Sequence, residues 1–211
     1  MSPSRSRSPE ERARERPRLA VLLLVVLALA AGCGGARPSA SAIPRSLLLE
    51  TRPIGEGAAF HPPRAGTVVG ACARHLGARL PAHVEVFAAN RVVIVAAGIG
   101  AQPPLRFSAG HLIGARCYGA LVTLDPTGVV LVRRGARLSV ADLFRAWGQP
   151  LSRSRLGPFN ARGGSSVVAY VDGRPWPGAP GAVPLTSHAE IVLEVGPHVP
   201  PHSSYTFAPG S

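Results

Sequence analysis

From residue 66 onward a helical period holds over one clear stretch, SVADLFRAWG at residues 139–148, and the rest breaks into short apolar runs separated by turn signals. That punctuation points to a mainly β, α+β domain assembled from short antiparallel strands and hairpins. AHVEVFAANRVVIVAAGIG alternates across His83, Val84, Glu85, Val86 and Phe87, turns near Ala89 and Asn90, and resumes in the β-branched run from Val92 to Val95. GALVTLDPTGVVLVRR repeats the scheme, with Asp125, Pro126, Thr127 and Gly128 as the turn. In the one clear helix, expected at about 139–147, the Ser139 hydroxyl is placed to accept from the backbone N–H of Asp142, while Val140, Leu143, Phe144 and Trp147 share a face. Gly148 ends that helix and Pro150 prevents its restarting. SSVVAYVDGRPWPG and HAEIVLEVG supply further strands, the first closed by Asp172 and Gly173.

The amino terminus is of another kind. Arginines 5, 7, 12, 14, 16 and 18 outnumber Glu10, Glu11 and Glu15, and the uncharged run from Leu19 to Gly32 is 14 residues long. That length fits the core of a secretory signal and falls short of the ~20 residues a membrane-spanning helix needs. Its end, Leu29, Ala30, Ala31, Gly32 and Cys33, resembles the lipobox of bacterial lipoproteins, although Ala30 stands where leucine is commoner. In that motif small residues admit the peptidase and the cysteine thiol receives the lipid. The resemblance implies a signal peptide over residues 1–32 and lipidation of Cys33, with two or three acyl chains giving stable attachment where one would not. Ordinary secretion with cleavage near Ala31, or retention as an uncleaved anchor, are the other readings.

Residues 33–65, rich in Gly, Pro, Ala and Ser and without a sustained period, have the composition of a flexible tether. Within it SLLLE reads equally as tether or as a short packed segment. Residues 66–196 form the expected globular domain. Residues 197–211, PHVPPHSSYTFAPGS, hold four prolines and must be extended. Three cysteines are an odd number for a secreted chain, but lipidation of Cys33 leaves Cys72 and Cys117 as a pair. In an oxidising compartment such a pair closes a disulfide, and a separation of 45 residues stabilises by roughly 2–4 kcal/mol. Neither has a C-x-x-C partner, which sets redox and nucleophilic roles aside.

VFAANRVVIVAAGIG, RLSVADLFRAWGQPLSRSRLG, YVDGRPWPG and HAEIVLEVGPHVPPHSSYTF look like successive blocks of a family of uncharacterised secreted or lipid-anchored bacterial proteins, over roughly residues 70–211. Members of that family carry H-x-H-x-H-L entering the first strand, and L-H-T-H-D followed by G-[VI]-[IV]-H in the second hairpin. This sequence departs where chemistry would be expected. Of the first run His83 remains, the earlier places being Arg79 and Pro81, and in the second hairpin the matching places are Val122, Leu124 and Leu131. Cys72, Cys117, Asp125, Trp147, Gln149, His188 and Glu194 do match. Since aliphatic side chains cannot donate to a metal, no metal is expected at that hairpin, and His83 and His188 are the weak surviving candidates, with His198 and His202 of HVPPH beside them.

Other chemistries find no support. GIGAQPP lacks a third glycine and the start of a helix, so it is a turn and not a dinucleotide loop. RGGSSVV fails the nucleophile-elbow pattern at Val167. The eight acids outside the leader, Glu50, Glu56, Glu85, Asp125, Asp142, Asp172, Glu190 and Glu194, are spread singly. No catalytic residue and no cofactor are expected. The 23 basic residues are all arginine, and the 17 outside the leader cluster weakly at Arg133, Arg134 and Arg137 and at Arg153 and Arg155. At the outer membrane face such groups are drawn to anionic headgroups or wall polymers. Nucleic acid is not an expected partner, for want of interleaved aromatic and basic residues.

These observations lead us to expect a non-catalytic binding or structural module, held on the extracytoplasmic face of the cell membrane by a lipid anchor and presented to an envelope protein or an anionic wall polymer. The alternative is a metal-handling or enzymatic protein with a reduced site around His83 and His188. A helix followed by strands suggests a β-grasp-like second half.

Overall fold

The computed structural model describes residues 52–197 and 201–209, all within the unit Ile43–Ser211. The signal-peptide region, Cys33 and most of the expected tether lie outside the described residues. In chain order the strands are β1 (Arg79–Ala88), β2 (Arg91–Val92), β3 (Ala101–Gln102), β4 (Arg106–Ser108), β5 (His111–Gly114), β6 (Cys117–Tyr118), β7 (Leu121–Val122) and β8 (Val129–Arg133). Helix α1 (Val140–Trp147) follows, then β9 (Leu151–Ser152), β10 (Arg155–Leu156), β11 (Phe159–Asn160), β12 (Val168–Val171), β13 (Arg174–Pro175) and β14 (Glu190–Val195). The domain is mainly β with one α-helix among the described residues.

The main sheet runs β13-β12-β14-β1-β8-β7, with β2 paired to the end of β1. Its two central strands, β1 and β14, are parallel, and their neighbours are antiparallel. A parallel central pair, an antiparallel strand on each side and one helix packed on one face make the order of a β-grasp sheet. It differs from the expectation for the second half alone, because β1 and β8 come from the first half.

Local chemistry sets the turns and the helix. Ala89 and Asn90, at φ 49° and 61°, join β1 to β2, and Asp172 and Gly173, at φ 50° and 75°, join β12 to β13. Both pairs have the left-handed conformation of a two-residue hairpin turn. At the start of α1 the Asp142 carboxylate accepts from the Ser139 backbone N–H (2.8 Å) and hydroxyl (3.0 Å). Gly148 takes the left-handed conformation that closes the helix.

Register divides the sheet into two faces. One carries Ala82, Val84, Val86 and Ala88 of β1, Ile191, Leu193 and Val195 of β14, and Val130 and Val132 of β8. With Val140, Leu143, Phe144 and Trp147 of α1 they make the hydrophobic core. The other face carries Pro81, His83, Glu85 and Phe87 beside Glu190, Val192 and Glu194, flanked by Val129 and Leu131. Every residue of β14 is buried, so this second face is also covered.

Its cover comes from the segments expected to be loose. From Arg52 onward the segment read as tether is bound into the fold. Ile54 bridges Val92, the Gly55 N–H donates to the Val92 carbonyl (3.0 Å), the Ile94 N–H to Phe60 (2.8 Å) and the Ala65 N–H to Trp147 (2.9 Å). Arg52 itself lies buried against Glu194 at 2.6 Å and over the Phe87 ring at 3.8 Å. Residues 52–65 are therefore part of the folded domain and not tether. Residues 201–208 form no strand or helix, as expected of an extended tail, but they return across the second face near His83. Cys72 and Cys117 form the expected disulfide, with Cα atoms 5.4 Å apart, beside the bridge between Ala73 and Tyr118.

Candidate functional site

Parallel pairing places His83 directly beside Glu190, and Glu85 two residues further along the same face of β1. The His83 Nδ1 lies 2.7 Å from Glu190 Oε2, and its Nε2 lies 2.9 Å from the Thr127 carbonyl oxygen. A carbonyl only accepts, so Nε2 carries a hydrogen. Nδ1 then faces a carboxylate oxygen, and that contact requires a proton or a cation between the two. His83 is 5% exposed and Glu190 1%. Burial alone would lower the His83 pKa, but the hydrogen bond and charge of Glu190, helped by the Thr127 carbonyl, outweigh it and raise the value. Burial raises the Glu190 pKa, with His83 opposing and the nearby Glu85 charge adding to it. Both directions describe a pair that holds a shared proton tightly.

The second oxygen of Glu190, Oε1, is buried and has no hydrogen-bond partner among the described residues. One donor atom each from His83, Glu85 and Glu190 lies within 4.8 Å of the others. The chain's last described segment covers them. Tyr205 stacks on the His83 ring at 3.7 Å between centroids and 17° between planes, and the His202 Nδ1 sits 2.8 Å from Glu85 Oε2. Tyr205 in turn meets Phe207 edge-on, and Phe207 meets His188. A cavity of about 340 Å³ opens beside this ladder, lined by Pro81, Leu124, Thr127, Leu131, Tyr205 and Phe207.

The sequence-predicted residues distribute unevenly over this geometry. His83 is at its centre. His188 stands on the same face, its backbone N–H donating to the Pro81 carbonyl (2.7 Å) and its ring Nδ1 close to the Ser187 hydroxyl (2.8 Å), but it is not one of the three converging donors. Asp125 also lines this cavity, but its carboxylate pairs with exposed His111 at 2.8 Å and is not one of the three converging donors. Pro81, Leu124 and Leu131, matched above to histidines of the resembling family, do gather at the cavity beside His83, where they form an apolar wall. Val122 is fully buried opposite Leu131.

The arginine cluster does not act as a unit. One guanidinium nitrogen of Arg133 donates to the carbonyls of Ala71 (2.8 Å), Tyr118 and Gly119 (both 3.3 Å), which ties the strand to the segments beside the disulfide. Arg79 does the same for Leu76, Leu131 and Gly119. Arg134 and Arg137 remain exposed. Of the three arginines expected as an anion site, Arg133 thus has one guanidinium nitrogen taken up by backbone oxygens.

No family model, curated protein or solved structure matches the chain.

Sequence reasoning missed Glu190 as a site residue, and Tyr205 as its cover. A signal for the first was present. Two acids four apart in the otherwise apolar EIVLEV must share a face with Val192, and a charged pair in a fully buried strand calls for partners.

Proposed function

We propose that this chain is an extracytoplasmic lipoprotein, anchored through Cys33, whose compact β-grasp-like domain binds an envelope protein or an anionic wall polymer without catalysing a reaction. The observation that carries this reading is the Cys72–Cys117 disulfide. Such bonds persist in oxidising compartments, and this one uses two of the three cysteines, leaving Cys33 behind the apolar run as the remaining thiol. A non-catalytic role is supported by the enclosure of the polar face. Its central groups are paired within the chain and covered by Tyr205 and His202, an arrangement suited to holding a conformation or a small ligand and not to turning over a substrate.

The test is the amino terminus of the native product. Mass spectrometry of protein extracted from the producing cell's envelope should find Cys33 at the terminus carrying acyl chains, and Cys33→Ala should move the protein out of the membrane fraction. An unmodified terminus, or a C33A protein that stays in the membrane as before, would overturn the proposal.

A further inference from the structure

The buried group at His83 has the composition of a metal site and not merely of an ion pair. We propose that His83, Glu85 and Glu190 bind one divalent transition ion of the zinc class, with Thr127, His202 and Tyr205 as the shell that orients and covers them. The site lies on β1 and β14 and not at the β7–β8 hairpin, where Val122, Leu124 and Leu131 offer no donor. It goes beyond the anchored-module reading and does not depend on it.

Four observations converge. The first is the tautomer: a metal-binding histidine ordinarily gives its other ring N–H to a carbonyl or carboxylate, which fixes the ring and raises the basicity of the ligating nitrogen. The Nε2 contact to Thr127 at 2.9 Å is that bond, and it turns the lone pair of Nδ1 toward Glu190. The second is Glu190 Oε1, a carboxylate oxygen in a residue 1% exposed, without a hydrogen-bond partner among the described residues. Such an oxygen is costly to bury, and a cation would satisfy it.

The third is charge. Two carboxylates within 4.8 Å of one neutral imidazole nitrogen present two negative charges, which a divalent ion neutralises, and the proton shared between His83 and Glu190 leaves to solvent when the ion arrives. The fourth is the shell around the donors. His202 holds Glu85 by one oxygen at 2.8 Å, and the Tyr205 ring lies flat on His83, so the first ligands are oriented and partly covered.

The donor chemistry selects the ion. One imidazole and two carboxylates suit zinc and its neighbours in the first transition row, whereas magnesium and calcium favour oxygen-only sites. Donors at 2.0–2.1 Å in a tetrahedron stand about 3.4 Å apart. Closing from a spread of up to 4.8 Å therefore asks for a movement of roughly 1.4 Å at most, which half-buried Glu85 can supply by rotation. His83 and Glu190 then separate by less than that.

The experiment uses the purified full chain, stripped with EDTA, desalted, given equimolar Zn²⁺ and desalted again. About one equivalent of zinc should be retained, and Co²⁺ in its place should show the ligand-field absorption of a low-coordinate nitrogen and oxygen site. Glu85→Gln preserves shape at a half-buried position and should weaken zinc at least about tenfold. His83→Phe should abolish retention, and Asp125→Asn, outside the group, should leave it unchanged. Since His83→Phe alters a buried residue and can compromise folding, Glu85→Gln carries the decision. Retention below about a tenth of an equivalent, or Glu85→Gln binding zinc as tightly as the parent, would overturn the proposal. Loss of the anchor reading would leave these results untouched, because none depends on Cys33.

Discussion

Arg52 packs its side chain against the second face of the sheet, and replacing it should be strongly destabilising. Its guanidinium is 2.6 Å from a Glu194 oxygen and 3.8 Å from the centre of the Phe87 ring, and the side chains of Arg52 and Glu194 are 5% and 2% exposed. At this burial the pair is cut off from solvent screening. At an effective dielectric of about 20, two charges about 4 Å apart attract by about 4 kcal/mol, largely offsetting the cost of taking both out of water. Arg52→Leu removes the ion pair with a carboxylate that is 2% exposed and the stacking on Phe87, which costs about 3–5 kcal/mol. In a domain of this size each kcal/mol moves the midpoint by about 2–4 °C, so the loss should appear as a fall of roughly 6–20 °C. Thermal and urea unfolding followed by circular dichroism measure it. The double variant Arg52→Leu with Glu194→Leu should recover most of that loss, because an apolar pair avoids desolvating either charge. A single variant that loses less than about 1 kcal/mol, or a double variant no better than the single, would show that the segment around Arg52 is not held as described.

Three further outcomes follow from the same structure. Cys72→Ser with Cys117→Ser should lower unfolding free energy by roughly 2–4 kcal/mol through the 45-residue separation, and an unfolding midpoint indifferent to reduction would contradict it. Gly100 sits at φ 74° with the Leu121 carbonyl oxygen where a Cβ would go, so Gly100→Ala should cost about 1–3 kcal/mol or more; a neutral result in urea titration would mean that the β7 edge gives way easily. In EDTA, the raised pKa of His83 contributes stability that is fully present below its ordinary value near 6.5 and is lost as pH rises through the higher folded value. Glu190, also raised, acts in the same direction, because the folded state keeps a proton the unfolded chain has released. Urea midpoints should therefore fall as pH rises above about 6.5, and His83→Gln should flatten the profile.

What could be read from sequence was whatever is decided within about ten residues. The cap of α1, its apolar face and its stop at Gly148 are local, as are the turns at Ala89 and Asn90 and at Asp172 and Gly173. The segment from Arg52 to Ala65 has the composition of a tether because its order comes from distant partners and not from its own sequence. Val92, Trp147 and Glu194 hold it by backbone bonds and one buried charge, none of which leaves a period in the sequence. The site shows the same divide. His83 could be named from its place on a strand, but its partner Glu190 lies 107 residues away, and their contact is a consequence of parallel register. By residue type His188 is the expected companion of His83, but Tyr205 of the tail stacks on that ring instead.

The pairing of β1 with β14 also bears on when this protein can acquire its shape. Neither central strand can complete the sheet until the other is present, and between them lie the helix and most of the hairpins. A chain whose middle closes last stays unfolded while it is being synthesised, with slow assembly dominated by contacts far apart in sequence. Closure of the sheet therefore waits on β14, which is made long after β1.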